Sequence, residues 1–416
     1  MRRTRVVVAG LAVSVAAVAL VAALQPFGAN AANPVAATVT TAVAKPKVVG
    51  YYTNWSTYGD DAVQVKQIGT SGAASRLTHI VYAFGAVKNG KCAIGDAYAD
   101  YQQKFTAKAS VSGKADSGTQ KVAGNFNQLR QLKKKYPKLK VLWSFGGGSG
   151  SGGFTQAAKN PAKFASSCRA LVENKRWADV FDGIDIDWEY PNACGVTCDA
   201  SGRTAYPKLL KAVRAKFGKD LVTSAITGNG LAGGTLDQAD YAGGVKYLDW
   251  LMPMTYDYYG SWEPRGPTAP NSPLGNFVGA PVKGLDSKTV IAKLRSQGVP
   301  ARKMLLGIPF YGRGWTGVTQ RTPGGTATGP ATGTTTGEAG IENYKVLART
   351  CPPSGTVGGT AYAHCGSQWW SYDTPKTIAG KMKYAKGQKL GGAFFWDYSG
   401  DTAQASLTKA IAQGLK

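Results

Sequence analysis

Eight short apolar segments rich in β-branched residues recur along this chain, and longer segments with helical periodicity separate them. Strands that alternate with helices predict a parallel sheet, and eight strands favour a closed barrel over an open doubly wound sheet. The GxGxxG turn typical of dinucleotide-binding sheets does not follow the first segment. The sequence therefore predicts an α/β fold, a (β/α)8 TIM barrel. Its strands are expected at 47–52, 77–84, 139–145, 181–187, 221–226, 248–256, 303–310 and 390–396, and helices at 126–137, 164–178, 205–218, 287–298 and 374–387.

One long segment interrupts this alternation. Residues 317–367, between the seventh and eighth predicted strands, are rich in glycine and threonine and contain two cysteines. A structureless loop of that length is improbable in a compact domain. We therefore expect a small α+β lobe inserted beside the mouth of a barrel domain that spans 47–416.

The N-terminus has the pattern of an export signal. Three arginines among the first five residues precede an apolar run from Val6 to Leu24, and Ala29-Asn30-Ala31 is a small-residue cleavage pattern. A transmembrane anchor is the alternative, but the run is rich in alanine and valine and ends at a cleavage site. We expect residues 1–31 to be a signal peptide and 32–46 a linker or arm. The protein is then secreted and free of the membrane; Arg2-Arg3 leaves the Sec and twin-arginine routes open.

The formal net charge of +25 permits binding of polyanions. The basic residues are spread along the chain, however, and the densest run, 131–140, falls where a helix should end before a strand. Because no nucleic-acid-binding motif accompanies that run, we interpret the charge as a solvated surface and expect no nucleic-acid partner.

Six cysteines in an exported chain indicate disulfides. Cys194–Cys198 and Cys351–Cys365 are natural local pairs, which leaves Cys92 with Cys168, although six cysteines allow other connectivities. The sequence has only two histidines and no CxxC pair, so a zinc site is not expected.

The fourth predicted strand carries a cluster of acids, in the sequence FDGIDIDWEYP from 181 to 191. Side chains alternate along a strand, so Asp185, Asp187 and Glu189 project to one side and Ile184 and Ile186 to the other. With the isoleucines packed under the helices, the three acids point into the barrel axis. A fourth acid, Asp182, is out of phase, and we interpret it as a structural residue or a partner for a helix.

Keeping all three carboxylates ionised at this spacing is energetically unfavourable, so at least one of them is expected to hold or share a proton. The last acid, Glu189, lies at the carboxyl end of its strand, where barrel enzymes place their chemistry. A divalent metal site fits poorly, because the acids lie in one line with no histidine nearby. A structural hydrogen-bond network could explain Asp185 but not Glu189, and catalysis is the favoured interpretation.

At this point a family resemblance is visible. DGIDIDWE resembles the DxxDxDxE signature of family 18 glycoside hydrolases, the chitinases and their relatives. The resemblance covers nearly all of residues 47–414. Four further segments resemble the family's strand-end motifs: SFGGG (144–148), MTYD (254–257), PFYGR (309–313) and GGAFFWDYSGD (391–401).

The resemblance implies a retaining hydrolase that acts, without cofactor or metal, on chitin and N-acetylglucosamine oligomers, and we expect it to be monomeric. Its mechanism would be substrate-assisted: Glu189 protonates the glycosidic oxygen and the substrate's acetamido oxygen attacks the anomeric carbon, giving an oxazolinium ion. Asp187 would orient the acetamido N–H, Asp185 would be its proton partner and Tyr256 would donate to the acetamido oxygen.

Other family roles concern substrate binding. Tyr51 and Ser144 would support the buried aspartates. Indole rings stack on the apolar faces of sugars, so Trp55 and Trp262 resemble platforms on the two sides of the cleavage point. The remaining candidates are Met254 and Asp257 beside the reactive sugar, Trp396 as its floor, and Phe84 and Arg313. For the other tryptophans, Trp143, Trp177, Trp250, Trp315, Trp369 and Trp370, core packing is at least as good an interpretation.

One position departs from the family pattern. Many members carry tryptophan directly after SxGG, whereas this chain has Gly148 within the run GGGSGSGGF. The strength of sugar binding on the product side of the cleavage point, and with it processivity, is therefore not predicted. Two other functions also remain as alternatives: a catalytically silent sugar-binding lectin, and an endo-β-N-acetylglucosaminidase that trims N-glycans.

Overall fold

A computed structural model describes residues 45–416. The predicted signal peptide and nearly all of the predicted linker lie outside the described residues. The strands are β1 Lys47–Thr53, β2 His79–Lys88, β3 Lys91–Ala93, β4 Lys140–Gly146, β5 Gly183–Asp187, β6 Leu221–Ile226, β7 Trp250–Pro253, β8 Leu305–Pro309, β9 Tyr311–Thr316, β10 Gly329–Pro330, β11 Ile341–Asn343, β12 Gly355–Val357, β13 Thr360–Cys365, β14 Gln368–Tyr372 and β15 Gly392–Trp396.

Helices fill most of the connections between strands. They are α1 Val65–Thr70, α2 Gly124–Lys135, α3 Phe154–Lys159, α4 Pro161–Val172, α5 Ala205–Phe217, α6 Thr235–Gln238, α7 Tyr241–Val245, α8 Ser287–Ser296, α9 Tyr344–Thr350, α10 Pro375–Gly387 and α11 Ser406–Gly414. All five predicted helices form, with shifted ends. For example, α4 begins before the predicted residue 164 because the Asn160 side chain caps it, accepting from the Lys163 amide at 3.1 Å.

Eight parallel strands form the barrel, in the order β7-β6-β5-β4-β2-β1-β15-β8. The last gap, between β7 and β8, is bridged at Leu251 and Met304. The Thr255 hydroxyl lies 2.9 Å from both the amide nitrogen and the carbonyl oxygen of Gly307, which adds a side-chain link across the same gap. The predicted fold class is confirmed, and all eight predicted strands contribute.

Strand β5 begins two residues later than predicted, and Asp182 lies just before it. Its carboxylate accepts hydrogen bonds from the Val141 amide at 2.9 Å and from Lys133 and Lys140 at 2.7 and 2.9 Å. This acid therefore holds the entrance of the strand to its neighbour and to α2, on the helix side and away from the barrel axis.

Residues 311–372 form a second, antiparallel sheet with the strand order β10-β9-β14-β13-β12, and β11 also pairs with β9. This range extends on both sides of the segment 317–367, because β9 follows β8 after only Phe310. Trp315, Trp369 and Trp370 are buried within this sheet. Trp143, Trp177 and Trp250 are buried as well, so all six tryptophans assigned to packing lie in the core.

Three disulfides join the six cysteines, as predicted: Cys92–Cys168, Cys194–Cys198 and Cys351–Cys365. The first ties β3 to α4, and the second closes a short loop after β5. Within residues 45–416, no cluster of three or more His, Cys, Asp or Glu side chains could hold a metal ion. No helix in the same range is long and apolar enough to cross a bilayer.

Candidate active site

The carboxyl ends of the barrel strands open into a cleft of about 810 Å³. Eleven of the thirteen predicted site residues line it: Tyr51, Trp55, Phe84, Asp187, Glu189, Met254, Tyr256, Asp257, Trp262, Arg313 and Trp396. The other two, Asp185 and Ser144, are fully buried and belong to a hydrogen-bond network that includes Tyr51 at the base of the cleft.

Asp185 is fully hydrogen-bonded. Its Oδ2 accepts from the Tyr51 hydroxyl at 2.9 Å and the Ser144 hydroxyl at 2.7 Å, and its Oδ1 accepts from Thr223 at 2.6 Å. Burial raises the pKa of Asp185, while these three donors favour its charged form and oppose that rise. Thr223 was missed from the sequence. Strand alternation in LVTSAI could have placed it inward, but only the register of β5 and β6 sets it opposite Asp185.

Asp187 is the next acid along β5 and has a different environment. It is buried, and its Oδ1 has no hydrogen-bond partner among the described residues. Burial, and then the charges of Glu189 and Asp185, raise the pKa of Asp187 well above its usual range. The raised pKa favours the protonated form of this carboxyl, and its Oδ1 is a buried oxygen that no described residue satisfies.

Glu189 lies at the mouth, just beyond the end of β5. Burial is the largest cause that raises its pKa to about 7, and the charge of Asp257 acts in the same direction. Its backbone is held by Ser151, whose hydroxyl accepts from the Glu189 amide at 2.8 Å and lies 3.1 Å from the Asp187 carbonyl oxygen. Ser151 was missed from the sequence. A serine in the glycine run after β4 is visible in the sequence, but no local pattern shows that its side chain contacts the backbone of Asp187 and Glu189.

Tyr256 projects into the cleft from the segment after β7. Burial, and then the neighbouring Tyr311, raise the pKa of Tyr256 well above its usual range, so its hydroxyl remains a donor at any working pH. Asp257 follows it and accepts two hydrogen bonds from Arg313, Nε at 2.8 Å and Nη2 at 2.9 Å. The same guanidinium lies over the rings of Trp262, at 5.2 Å, and Tyr311, at 5.5 Å. Arg313 thus connects Asp257 to the Trp262 platform.

Three aromatic rings form one side of the cleft, which we call the aromatic wall: Trp55, Phe84 and Trp396. Phe84 stacks on Trp396 at 5.6 Å, and Trp55 lies 6.1 Å from Phe84 and 6.2 Å from Trp396, between ring centroids. Trp55 is 48% exposed and Trp262 is 50% exposed, whereas the six core tryptophans are at most 2% exposed. This difference separates rings that can contact a ligand from rings that pack the fold.

Residues 146–153, which we call the glycine turn, form another side of the cleft. Gly146 has φ +118°, and a Cβ there would lie 2.0 Å from the Asp187 carbonyl oxygen. Gly147 has φ +82°, and its Cβ would lie 2.7 Å from the Phe84 ring. Both positions require glycine, because side chains there would be strained and would collide with the walls of the site.

Comparison with known proteins agrees with this arrangement. The sequence profile described as Glycosyl hydrolases family 18 matches residues 47–401. The chain belongs to this family.

Two relatives of this family 18 hydrolase are Streptomyces proteins. Chitinase C of Streptomyces lividans is 60% identical over 357 residues, which cover 85% of this chain and 57% of that protein. Chitinase 63 of Streptomyces plicatus is 59% identical over 370 residues, covering 88% and 60%. The chain thus spans less than two thirds of the length of these relatives. Among solved structures, the catalytic domain of psychrophilic chitinase B from Arthrobacter TAD20 has a TM-score of 0.81 at 33% identity, covering 89% of this chain and 95% of that one.

Two acids of the cleft, Glu189 and Asp257, have different surroundings. Glu189, with a pKa near neutrality, can donate and then accept a proton. Asp257 faces it but is paired with Arg313. The site therefore contains one acid poised for proton transfer, above a carboxyl that holds its proton.

Proposed function

We propose that this chain is a secreted chitinase that hydrolyses β-1,4 bonds between N-acetylglucosamine units with retention of configuration. The observation that carries the proposal is the pair formed by Glu189 and Asp187. Glu189 has a pKa of about 7 at the cleft mouth, and Asp187 beneath it has a buried Oδ1 without a protein partner. The names of the two Streptomyces relatives point to the same activity.

The carboxylates of the cleft favour a substrate-assisted mechanism over a protein nucleophile. The raised pKa of Asp187 favours its protonated form, and Asp257 accepts from Nε and Nη2 of Arg313, so neither is suited to attack the anomeric carbon. The 2-acetamido oxygen of the substrate can take this role. A polymer without that group would have no nucleophile in this site.

The reaction then proceeds in two steps. Glu189 gives its proton to the glycosidic oxygen, the bond from that oxygen to the anomeric carbon breaks, and the acetamido oxygen bonds to the same carbon to form the oxazolinium ion. Asp187, sharing a proton with Asp185, presents an oxygen to the acetamido N–H, and Tyr256 donates to the acetamido oxygen. Water gives a proton to Glu189 and adds to the anomeric carbon as the bond from that carbon to the acetamido oxygen breaks, which restores its configuration.

The remaining site residues position the sugars. We assign Tyr51 and Ser144 to the support of Asp185, and Met254 and Asp257 to the reactive subsite. Trp396 is assigned as the floor of that subsite, and the exposed Trp55 and Trp262 as platforms for further sugars of a linear chain. Phe84 and Arg313 hold these rings in place. We also propose export and action as a monomer; the pairing of all six cysteines supports an oxidising compartment.

The decisive variant is Glu189→Gln. We expect hydrolysis of a chitin hexamer to fall by about 1,000-fold or more, because Gln keeps the shape but cannot donate the proton. Binding of the hexamer should persist, measured by calorimetry. Glu173→Gln, at the C-terminal end of α4, is the matched control and should retain activity.

Product analysis of the parent protein on the hexamer tests the remaining parts. Early appearance of β-anomers by NMR supports retention, and early α-anomers would refute the substrate-assisted route. Binding of the hexamer without any turnover would identify a lectin. A protein that leaves the hexamer intact and cleaves N-glycans would be a trimming enzyme. Unchanged turnover by Glu189→Gln would remove the assignment of the acid altogether.

A further inference from the structure

Val196 is a highly exposed apolar side chain close to the proposed catalytic acid. It is 76% exposed and lies between the two cysteines of the Cys194–Cys198 disulfide, in the loop that follows the catalytic strand β5. Single exposed apolar residues are common on proteins. The surroundings of this one distinguish it from an ordinary surface valine.

Val196 borders the empty space above Gly148. A Cβ placed on Gly148 would lie 3.7 Å from Cγ2 of Val196 and 3.9 Å from Oε2 of Glu189. The valine methyl and the oxygen of the proposed acid therefore lie beside the same vacant side-chain position. Gly148 and Glu189 line the cleft, and Val196 lies at its edge, within side-chain distance of Gly148.

The loop that carries Val196 is held on both sides. A Cβ on Gly195 would lie 2.7 Å from the Glu189 carbonyl oxygen, so the loop backbone rests directly on the backbone of the acid. At the loop base, Asp199 accepts from the Asn192 amide at 2.8 Å and from the Thr155 hydroxyl of α3 at 2.7 Å. With the disulfide, these contacts fix Val196 before any ligand binds, which lowers the entropic cost of using it as a contact.

We propose that Val196 is a substrate contact that offers an apolar surface to the N-acetylglucosamine unit bound over Gly148 beside Glu189. Either the apolar face of the ring or the acetamido methyl group can fill this role. The inference rests on the proposed function. The apolar contact beside Gly148 comes from a disulfide-closed loop, because Gly148 itself has no side chain to supply one.

The test measures hexamer binding by calorimetry in the Glu189→Gln protein, so that the ligand survives. Val196→Ala removes two methyl groups, and Val196→Thr keeps the shape but replaces one methyl by a hydroxyl. Both should weaken binding, Val196→Ala by about threefold, as expected for a partly buried valine contact. Val278→Ala and Val278→Thr are matched controls at a fully exposed valine that does not border the Gly148 position, and should leave binding unchanged. Melting temperatures should stay within about 1 °C of the parent, because an exposed valine contributes little to folding.

A second variant tests the role of the loop. The double variant Cys194→Ser, Cys198→Ser keeps the Val196 side chain but removes the disulfide that closes its loop. It should also weaken hexamer binding. Unchanged binding in both Val196 variants would overturn the proposal, as would an equal loss in the Val278 variants. Full retention by Val196→Thr would overturn the apolar contact. If the Glu189→Gln parent binds no hexamer at all, the proposed function itself fails, and this inference fails with it.

Discussion

The aromatic wall and the glycine turn meet where the Phe84 ring lies over Gly147, and they shape the same cleft by different means. On the aromatic wall, Trp55, Phe84 and Trp396 provide broad apolar surfaces. On the glycine turn, six of the eight residues have no side chain, and the backbone itself approaches Asp187 and Phe84. The first wall offers area to a ligand, and the second offers room and exact backbone placement.

This difference predicts different responses to mutation. Removing a ring from the aromatic wall takes away contact area and should weaken binding, mainly of long ligands. Adding a carbon to the glycine turn creates a collision and should disturb the acids themselves. Substitutions at Gly146, Trp55 and Asp257 test this contrast, in order of decreasing effect.

The largest effect is expected at Gly146→Ala. The new Cβ would lie 2.0 Å from the Asp187 carbonyl oxygen, in a backbone conformation with φ +118°. Because β4 and β5 must separate to accept it, Asp187 and Glu189 move, and we expect kcat to fall by about 100-fold. Gly152→Ala, in the same turn but outside the cleft lining, is the control: its Cβ would have only ordinary contacts with Thr197, at 3.8 Å, and its activity should stay within a few-fold of the parent. Equal activities of the two variants would contradict the proposed role of the turn.

An intermediate effect is expected at Trp55→Ala on the aromatic wall. Its ring is half-exposed and lies beyond Phe84 and Trp396, so it should contact only the distant sugars of a long oligomer. Hexamer binding should weaken by about tenfold, corresponding to about 1.4 kcal/mol, while dimer binding changes little. Calorimetry with both ligands in the Glu189→Gln protein measures the ratio. Equal losses for the two ligands would show that Trp55 supports the fold and does not act as a platform.

The smallest effect concerns the proton of Glu189. Because its pKa is raised to about 7, the acid form is lost as pH rises through that value, and kcat/KM should have its alkaline limb there. The charge of Asp257 contributes to the rise, so Asp257→Asn should move the limb to lower pH. Glu173→Gln, outside the cleft, should leave the limb in place. A limb that does not move in Asp257→Asn would contradict the contribution of the Asp257 charge to the pKa of Glu189.

Much of this site could be predicted from the sequence because its main residues lie at the ends of strands. Parity along β5 placed Asp185, Asp187 and Glu189 on one face and excluded Asp182, and the family motifs added the strand-end residues of β4, β7, β8 and β15. Thr223 and Ser151 were missed because their partners lie on neighbouring strands or loops. Val196 was missed because nothing in its own loop shows that it lies over Gly148.

The sequence by itself determined the eight strands, their alternation with helices and the face on which the acids project, because periodicity is a local property of the chain. The disulfide pairs were also predicted, though not uniquely. Only the tertiary structure decided that Asp185 is fully hydrogen-bonded while Asp187 keeps a free buried oxygen, and that the pKa of Glu189 reaches about 7. Desolvation and charge depend on everything packed around a group, and at this cleft those neighbours come from segments far apart in the chain.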